Sequence, residues 1–358
     1  MTQLETDQPG DQPGAGAAPG EPEPSPDHGQ SNLGLLADVE VAGALSTAAP
    51  AIQWYPGHIA KAEKALAGNL AKVDLVIEVR DARIPLATGH PRLRRWIGSK
   101  PHLLVLNRRD MVSPAARQAW DAWFRSQGQT PWWCDAKAGT GVKQLQQAAI
   151  RAGAALNARR SGRGMKPRPV RALMLGFPNV GKSALINRLV RQKVVESARK
   201  AGVTRSLRWV RLGQELDLLD APGVLPPRLD NQQAALRLAL CDDIGQAAYD
   251  TEAVALAFVR LLAALEPLGA AGVAPGLLEG RYGVPLIGLL APTAAVGPAP
   301  DPVESPLIAQ PMAVPDAEAW LAAAAARHTS GDAVRMAQRL LDDFRRSLLG
   351  PIALELPG

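Results

Sequence analysis

Short apolar blocks punctuate the middle of the chain. VDLVIEV at 73–79, HLLVLN at 102–107, PWWC at 131–134 and VRALMLG at 170–176 suit buried strands. Two further strands are expected at 207–212 and 215–219. Between these blocks, residues 58–72, 114–127, 141–157 and 182–192 carry helical spacing, with Trp120, Trp123 and Phe124 on one side of the second. Strands alternating with helices predict an α/β fold built on a mostly parallel, doubly wound sheet. Past Arg228 the strand signals fade, and 231–241, 251–265, 316–328 and 332–348 read as helices. The expected organisation is therefore an α/β domain over 51–227 followed by an all-α C-terminal domain over 228–358, with a Pro-rich insertion near 291–315.

Charge sharpens this division. Residues 1–50 hold eight Asp/Glu, no Lys or Arg and no aromatic residue, so they read as a disordered acidic tail. Residues 51–227 hold 31 Lys/Arg against 11 Asp/Glu, whereas 228–358 hold 9 against 15. So concentrated a positive field predicts a polyanionic partner, most simply nucleic acid. The basic linker from Arg159 to Pro169 is the densest part, and Arg159, Arg160, Arg163, Lys166, Arg168 and Arg171 are expected to meet phosphates. No apolar run is long enough for a membrane span. The first residues have neither the basic nor the apolar part of a secretory signal, and Cys134 and Cys241 form no CxxC pair. These features predict a cytoplasmic protein with no membrane partner.

GFPNVGKS, Gly176 to Ser183, matches the phosphate-binding pattern G-x-x-x-x-G-K-[ST] between a predicted strand and a predicted helix. The glycines let backbone N–H groups converge on one anion. Pro178, Asn179, Val180, Gly181, Lys182, Ser183 and Ala184 are the expected phosphate cradle, with the Lys182 ammonium reaching the outer phosphates and the Ser183 hydroxyl ligating Mg²⁺. DAPG, Asp220 to Gly223, follows the apolar strand ELDLL; Asp220 is placed to hold the metal and the Gly223 N–H to meet the terminal phosphate. Thr204, between these two motifs, is placed to complete the Mg²⁺ shell.

A purine site also needs a group that reads the base. Guanine presents two adjacent donors that one carboxylate can accept together, which discriminates against adenine. NRRD, Asn107 to Asp110, follows the strand HLLVL and resembles the guanine motif NKxD. Asp110 is the base reader, Asn107 ties its loop to the phosphate loop, and Arg108 stands where Lys is usual. DAK, Asp135–Ala136–Lys137, follows PWWC and resembles SAK, whose central N–H donates to guanine. Both base motifs precede the phosphate loop. The predicted fold is therefore a circularly permuted P-loop GTPase domain binding GTP and GDP.

Together with IQWYPGHIAKA at 52–62, VIEVRDARIPLAT at 76–88, AGVT and the closing segment 331–355, these motifs resemble the YlqF/RbgA family of ribosome-assembly GTPases, over about residues 52–358. The resemblance implies GTP hydrolysis, Mg²⁺, a role in late maturation of the large ribosomal subunit through its rRNA, and a helical C-terminal domain that helps contact rRNA. Asn179 resembles the phosphate-loop Asn of K⁺-activated GTPases, so K⁺ is a candidate ion there. The residue after Gly223 is Val224, which cannot orient the attacking water, and His58 of YPGH is the candidate for that role. A monomer is expected. The alternatives are a GTPase acting on another RNA such as tRNA, or a nucleotide-dependent scaffold.

Overall fold

The protein is described by a computed structural model, and the residues described are 52, 68–190, 208–221, 223, 231–286, 288–289 and 314–358. The acidic tail, His58, Thr204, residues 58–67 of the helix expected at 58–72 and nearly all of the Pro-rich insertion lie outside the described residues.

Six strands form the central sheet: β1 (Leu75–Asp81), β2 (His102–Asn107), β3 (Pro131–Cys134), β4 (Val170–Leu175), β5 (Arg208–Leu212) and β6 (Leu216–Asp220). Their order is β3-β2-β1-β4-β6-β5. All neighbours pair in parallel except β5, which forms a hairpin with β6 and runs antiparallel. The chain steps outward from β1 through β2 to β3, then returns to lay β4 on the other side of β1. This reversal places a crevice at the carboxyl ends of β1 and β4, where doubly wound sheets bind ligands.

Both faces of a parallel sheet must be covered, and the inner strands are accordingly apolar at most positions on both sides. Helix α1 (Leu93–Ile97) and Leu70 close one face over Val76, Leu173, Leu175 and Leu219. Helix α2 (Pro114–Ser126) stacks Trp120 and Phe124 against Leu104 and Leu106. Its start is set by Ser113, whose hydroxyl accepts from Ala116 N at 3.0 Å, and by Pro114 in the first turn. Helices α3 (Val142–Ser161) and α4 (Lys182–Val190) pack on the opposite face. Helix α3 runs past the expected end at residue 157, so Arg159 and Arg160 belong to its last turn rather than to a linker.

The C-terminal helices are α5 (Gln232–Leu240), α6 (Thr251–Leu265), α7 (Leu277–Tyr282), α8 (Ala317–His328) and α9 (Ala333–Arg345). Asn231, Asp250, Asp316 and Asp332 cap α5, α6, α8 and α9 by accepting from the N–H three residues on. Helix α9 packs on α6 with Phe344 against Phe258, 4.8 Å between ring centroids. A two-stranded ribbon, β7 (Gly288–Leu289) with β8 (Val314–Pro315), was not expected from the apolar pattern, and neither was α7, while the stretch that holds α1 reads equally as helix or loop. All are short, where periodicity carries least signal.

After α9 the chain turns back as a strap over the sheet domain. Leu354 N donates to Arg83 O at 2.9 Å. Trp120 Nε1 donates to Glu355 O at 3.0 Å, and the Glu355 carboxylate accepts from Leu86 N at 2.7 Å and Ala87 N at 3.1 Å. The described residues all fall in one compact unit, Gly34–Gly358.

Candidate functional site

The five parallel strands end at one edge, and each delivers a residue of the site there. Asp81 closes β1, Asn107 closes β2, Asp135 follows β3, Gly176 follows β4 and Asp220 closes β6. The register pairs Asp81 with Asn107 and Asn107 with Cys134, one residue before Asp135, while Asp220 pairs with Met174, two residues before Gly176.

The phosphate loop is packed too tightly for side chains at its glycines. A Cβ at Gly176 would collide with Val79 O, and one at Gly181, where φ is +98°, would collide with the Asn107 amide. Lys182 is buried and its ammonium donates to Phe177 O at 2.6 Å and Gly176 O at 3.1 Å. Burial pushes that ammonium down to about 8, against the opposing pull of Asp220 and Asp243. Ser183 Oγ lies 3.4 Å from Asp220 Oδ2. The other carboxylate oxygen of Asp220, Oδ1, is buried without a hydrogen-bond partner among the described residues. Burial raises the Asp220 carboxyl, with Lys182 and Ser183 lowering it in part. Two hard oxygen donors side by side, one with a vacant lone pair, suit a divalent cation such as Mg²⁺. Gly223 sits against the Pro178 backbone, so DAPG meets the phosphate loop directly.

The base-reading loops are clasped to the phosphate loop by two consecutive side chains. Asn107 Nδ2 donates to Val180 O at 2.8 Å while its Oδ1 accepts from Ala136 N at 3.2 Å. Arg108 donates through Nη2 to Asn179 O at 2.5 Å. Arg108 stands at φ +64° and Asn179 at φ +57°, conformations that non-glycine residues hold only when their surroundings fix them. Asp110 stands in a single 3₁₀ turn with much of its surface in solvent; partial desolvation, then the charge of Asp135, raise its carboxyl. Asp135, in place of the usual Ser, braces its own loop by accepting from Lys137 N at 2.7 Å and Ala138 N at 3.0 Å. Arg188 of α4 reaches across to Ala138 O.

Beneath these loops lies a buried charge network to which no role was assigned from the sequence. Asp81, fully buried, accepts from Arg83 Nε at 3.0 Å and Nη2 at 2.7 Å, and from Arg108 Nη1 at 2.7 Å. Arg83, also buried, donates on to Cys241 O at 3.1 Å and lies over the Phe344 ring at 5.2 Å. Asp243 Oδ1 is 4.0 Å from Arg108 Nη1, and neither of its oxygens has a hydrogen-bond partner among the described residues. Burial, then Asp81, push the Asp243 carboxyl well above the usual range. Asn179 Nδ2 donates to Asp242 O at 2.6 Å. The available signal was an Asp and an Arg two residues apart at the end of an apolar strand, where a buried charge demands a partner.

Comparison with known proteins accords with this geometry. Residues 171–259 match the domain family described as 50S ribosome-binding GTPase. The chain is 36% identical over 211 residues to ribosome biogenesis GTPase A of Bacillus pumilus, an alignment covering 59% of this chain and 75% of that protein. It is 37% identical to the Bacillus cereus protein of the same name, covering 59% and 71%. The chain belongs to the ribosome biogenesis GTPase A family. As a member of that family it binds guanine nucleotide and hydrolyses GTP to GDP and phosphate. More distantly, it is 34% identical over 201 residues to mouse mitochondrial ribosome-associated GTPase 1, covering 54% of this chain and 61% of that one. The family's fold extends over most of the chain: the GDP-bound structure of TM YlqF aligns with a TM-score of 0.50 at 19% identity, covering 82% of this chain and 99% of that one. Among the described residues no helix is long and apolar enough to cross a membrane.

Proposed function

We propose that this GTPase acts in late maturation of the large ribosomal subunit, docking on its rRNA as a monomer in one nucleotide state and leaving in the other. The observation that carries this reading is the single edge on which phosphate loop, base readers and C-terminal segment meet. Asn107 and Arg108 hold consecutive phosphate-loop carbonyls, and Asn179 holds Asp242. Nucleotide in that crevice touches a joint shared with the C-terminal helices. The names of the relatives supply the ribosome, and the 31 Lys/Arg against 11 Asp/Glu in residues 51–227 supply the charge that rRNA requires.

In this reading Pro178 through Ala184 surround the phosphates, and Lys182 leaves its carbonyl acceptors to meet the outer ones. Ser183 and Asp220 hold Mg²⁺, with Thr204 completing the shell. When bound, the ion neutralises charge on the transferring phosphoryl group. Asp110 accepts from guanine, and Ala136 N and Lys137 line the base. His58 orients the attacking water, and Asn179 is the ligand for K⁺; equal turnover in K⁺ and Na⁺ at matched ionic strength would remove that ion. The regions 51–227 and 228–358 act as the switch and the docking body. Sedimentation of the purified chain with gradient-separated ribosomal subunits and their precursors tests the reading. Nucleotide-dependent co-migration with the large subunit or its precursors is expected, and absence of co-migration in every nucleotide state refutes it.

A further inference from the structure

The same reading says that RNA is the partner but not how the sheet domain holds it. We propose that the outward face of β5, with Trp209 at its centre, is a stacking platform for single-stranded RNA, and that the arginines around it hold the strand's phosphates. This rests on the RNA partner proposed above and assigns it a place and a mode of contact.

Strand β5 is the edge of the sheet among the described residues, and Arg208, Trp209 and Arg211 are exposed on it. Trp209 is 44% exposed, and of the large hydrophobic residues exposed among the described residues it is the aromatic one. With nearly half of its surface open to water, the indole keeps apolar area and a ring that a partner can cover. The register places Arg171 of β4, Asp217 of β6 and Arg211 of β5 in one row across the sheet, with Trp209 two residues from Arg211 on the same face. The Arg171 guanidinium extends over the Trp209 ring at 5.7 Å. Arg211 stays 79% exposed with Asp217 at 3.6 Å, a contact too wet to immobilise it.

The cations beside this row are fixed in place by backbone anchors. Arg168 forms a two-pronged pair with Asp74 at 2.7 and 2.8 Å, and Arg171 N donates to the same carboxylate at 2.9 Å. Asn157 clasps the Arg168 backbone from both sides, at 2.9 and 3.2 Å. The segment between is thereby folded back on α3 and presents Arg159, Arg163 and Lys166 to solvent. A cationic surface favours a polyanion, and an exposed ring among guanidinium groups adds affinity for unpaired bases, whose faces a duplex keeps stacked inside. Tryptophan and arginine also anchor protein interfaces. The charge excess decides for nucleic acid, and a protein occupant is left as an outcome of the test.

The experiment measures binding of the full chain to a fluorescent single-stranded RNA of mixed sequence and to its duplex, at several salt concentrations. Trp209→Ala is expected to weaken single-strand binding about 5- to 150-fold, the range of one base–aromatic stack. Trp209→Phe should stay within about threefold of the wild type because its ring still stacks. Arg171→Gln and Arg211→Gln should each reduce the salt slope for the single strand by about 0.7. GTP affinity serves as the check that each variant is folded. Equal single-strand affinity for wild type and Trp209→Ala overturns the platform, as does equal affinity of the wild type for single strand and duplex. If the wild type binds no RNA but co-migrates with ribosomal subunits, and Trp209→Ala abolishes that, the face docks a protein. This inference then falls while the ribosomal reading stands. A wild type that binds neither RNA nor subunits sinks both.

Discussion

Replacing Asp81 with Asn keeps the side chain's shape and removes the charge that holds Arg83 and Arg108 together. Asp81 has no solvent exposure, and its two oxygens take three guanidinium bonds of 2.7–3.0 Å. Removing one partner of a buried ion pair costs about 3–5 kcal/mol. Two cations are left behind here, which argues for the upper end. Against that, the amide oxygen still accepts one bond, and the Asp243 carboxyl stands 4.0 Å from Arg108 Nη1, a second acidic group within reach of that guanidinium. A loss of about 3 kcal/mol follows as the net of these effects. Urea unfolding followed by tryptophan fluorescence should show a lower midpoint at unchanged slope. Because Arg108 also holds Asn179 O, GTP affinity should fall by about tenfold, the equivalent of ~1.4 kcal/mol. The effect has a pH signature. Burial pushes the Asp81 carboxyl up, but Arg83 and Arg108 outweigh it and hold the group below its usual value. A depressed carboxyl contributes stability above the unfolded value near 3.8 and loses it as pH falls through the folded one. The Asn variant should therefore lose less stability than the wild type on acidification. A destabilisation below about 1 kcal/mol, with GTP affinity intact, would refute the claim that this network holds the site.

Glu78 is held down to about 2 although burial pushes it up, because Arg80 and then His102 stabilise its charge. That depression is worth about 3 kcal/mol at neutral pH, lost as pH falls from about 4.5 toward 2, so Glu78→Gln should flatten the acid limb of a stability–pH curve. Lys182, lowered by burial to about 8, should be drawn back up by nucleotide phosphates, so GDP binding near pH 8 should take up as much as about half a proton. Calorimetry in buffers of different ionisation enthalpy measures that uptake, and a buffer-independent heat would contradict it. Asp110→Asn should lower GTP affinity by about 100-fold and favour xanthosine triphosphate, whose pattern an amide can meet; competition binding reads the switch, and retained GTP preference would show that another group selects the base.

The strands and their order at the site were legible because each motif stands at the end of an apolar block. NRRD after HLLVL and GFPNVGKS after VRALML leave little freedom once the sheet is parallel. Asn107 carried its tie to the phosphate loop in its motif alone, and its amide lies on Val180 O. What the pattern could not carry was the partner of each charge. Asp81 and Arg83 looked like the polar end of a strand, and their pairing depends on Cys241 and Arg108, far away in sequence. The antiparallel sense of β5 was hidden for the same reason, since a five-residue strand reads identically in both directions. Arg159 and Arg160 were misplaced in a linker because a solvent-facing basic run ends the apolar spacing before it ends the helix.

The permuted order has a mechanical consequence that follows from who holds whom. The segment after Gly223 leads into α5, and the turn that ends α5 comes back to the nucleotide loops. There Asp242, at φ +62°, offers its carbonyl to Asn179, and Cys241 offers its carbonyl to Arg83. Three of the five non-glycine residues with positive φ among the described residues, Arg108, Asn179 and Asp242, meet at this joint. Strained conformations survive only where the surroundings over-determine them, so the joint is held from several sides at once. From the far side, Arg345 of α9 donates to Ala239 O at 2.8 Å and Leu240 O at 3.1 Å, the last carbonyls of α5. The strap adds a second hold, since Arg237 of α5 donates to Leu354 O at 3.2 Å and Leu354 N to Arg83 O. A shift of the phosphate loop thus cannot be absorbed locally. It must either break the Asn179–Asp242 bond or carry the end of α5 with it, and α5 is bonded to the last helix of the chain. Packed elements of this kind move between discrete arrangements rather than bending smoothly. Among the described residues, the loop expected to cradle the phosphates and the C-terminal helices are thus joined through one set of hydrogen bonds.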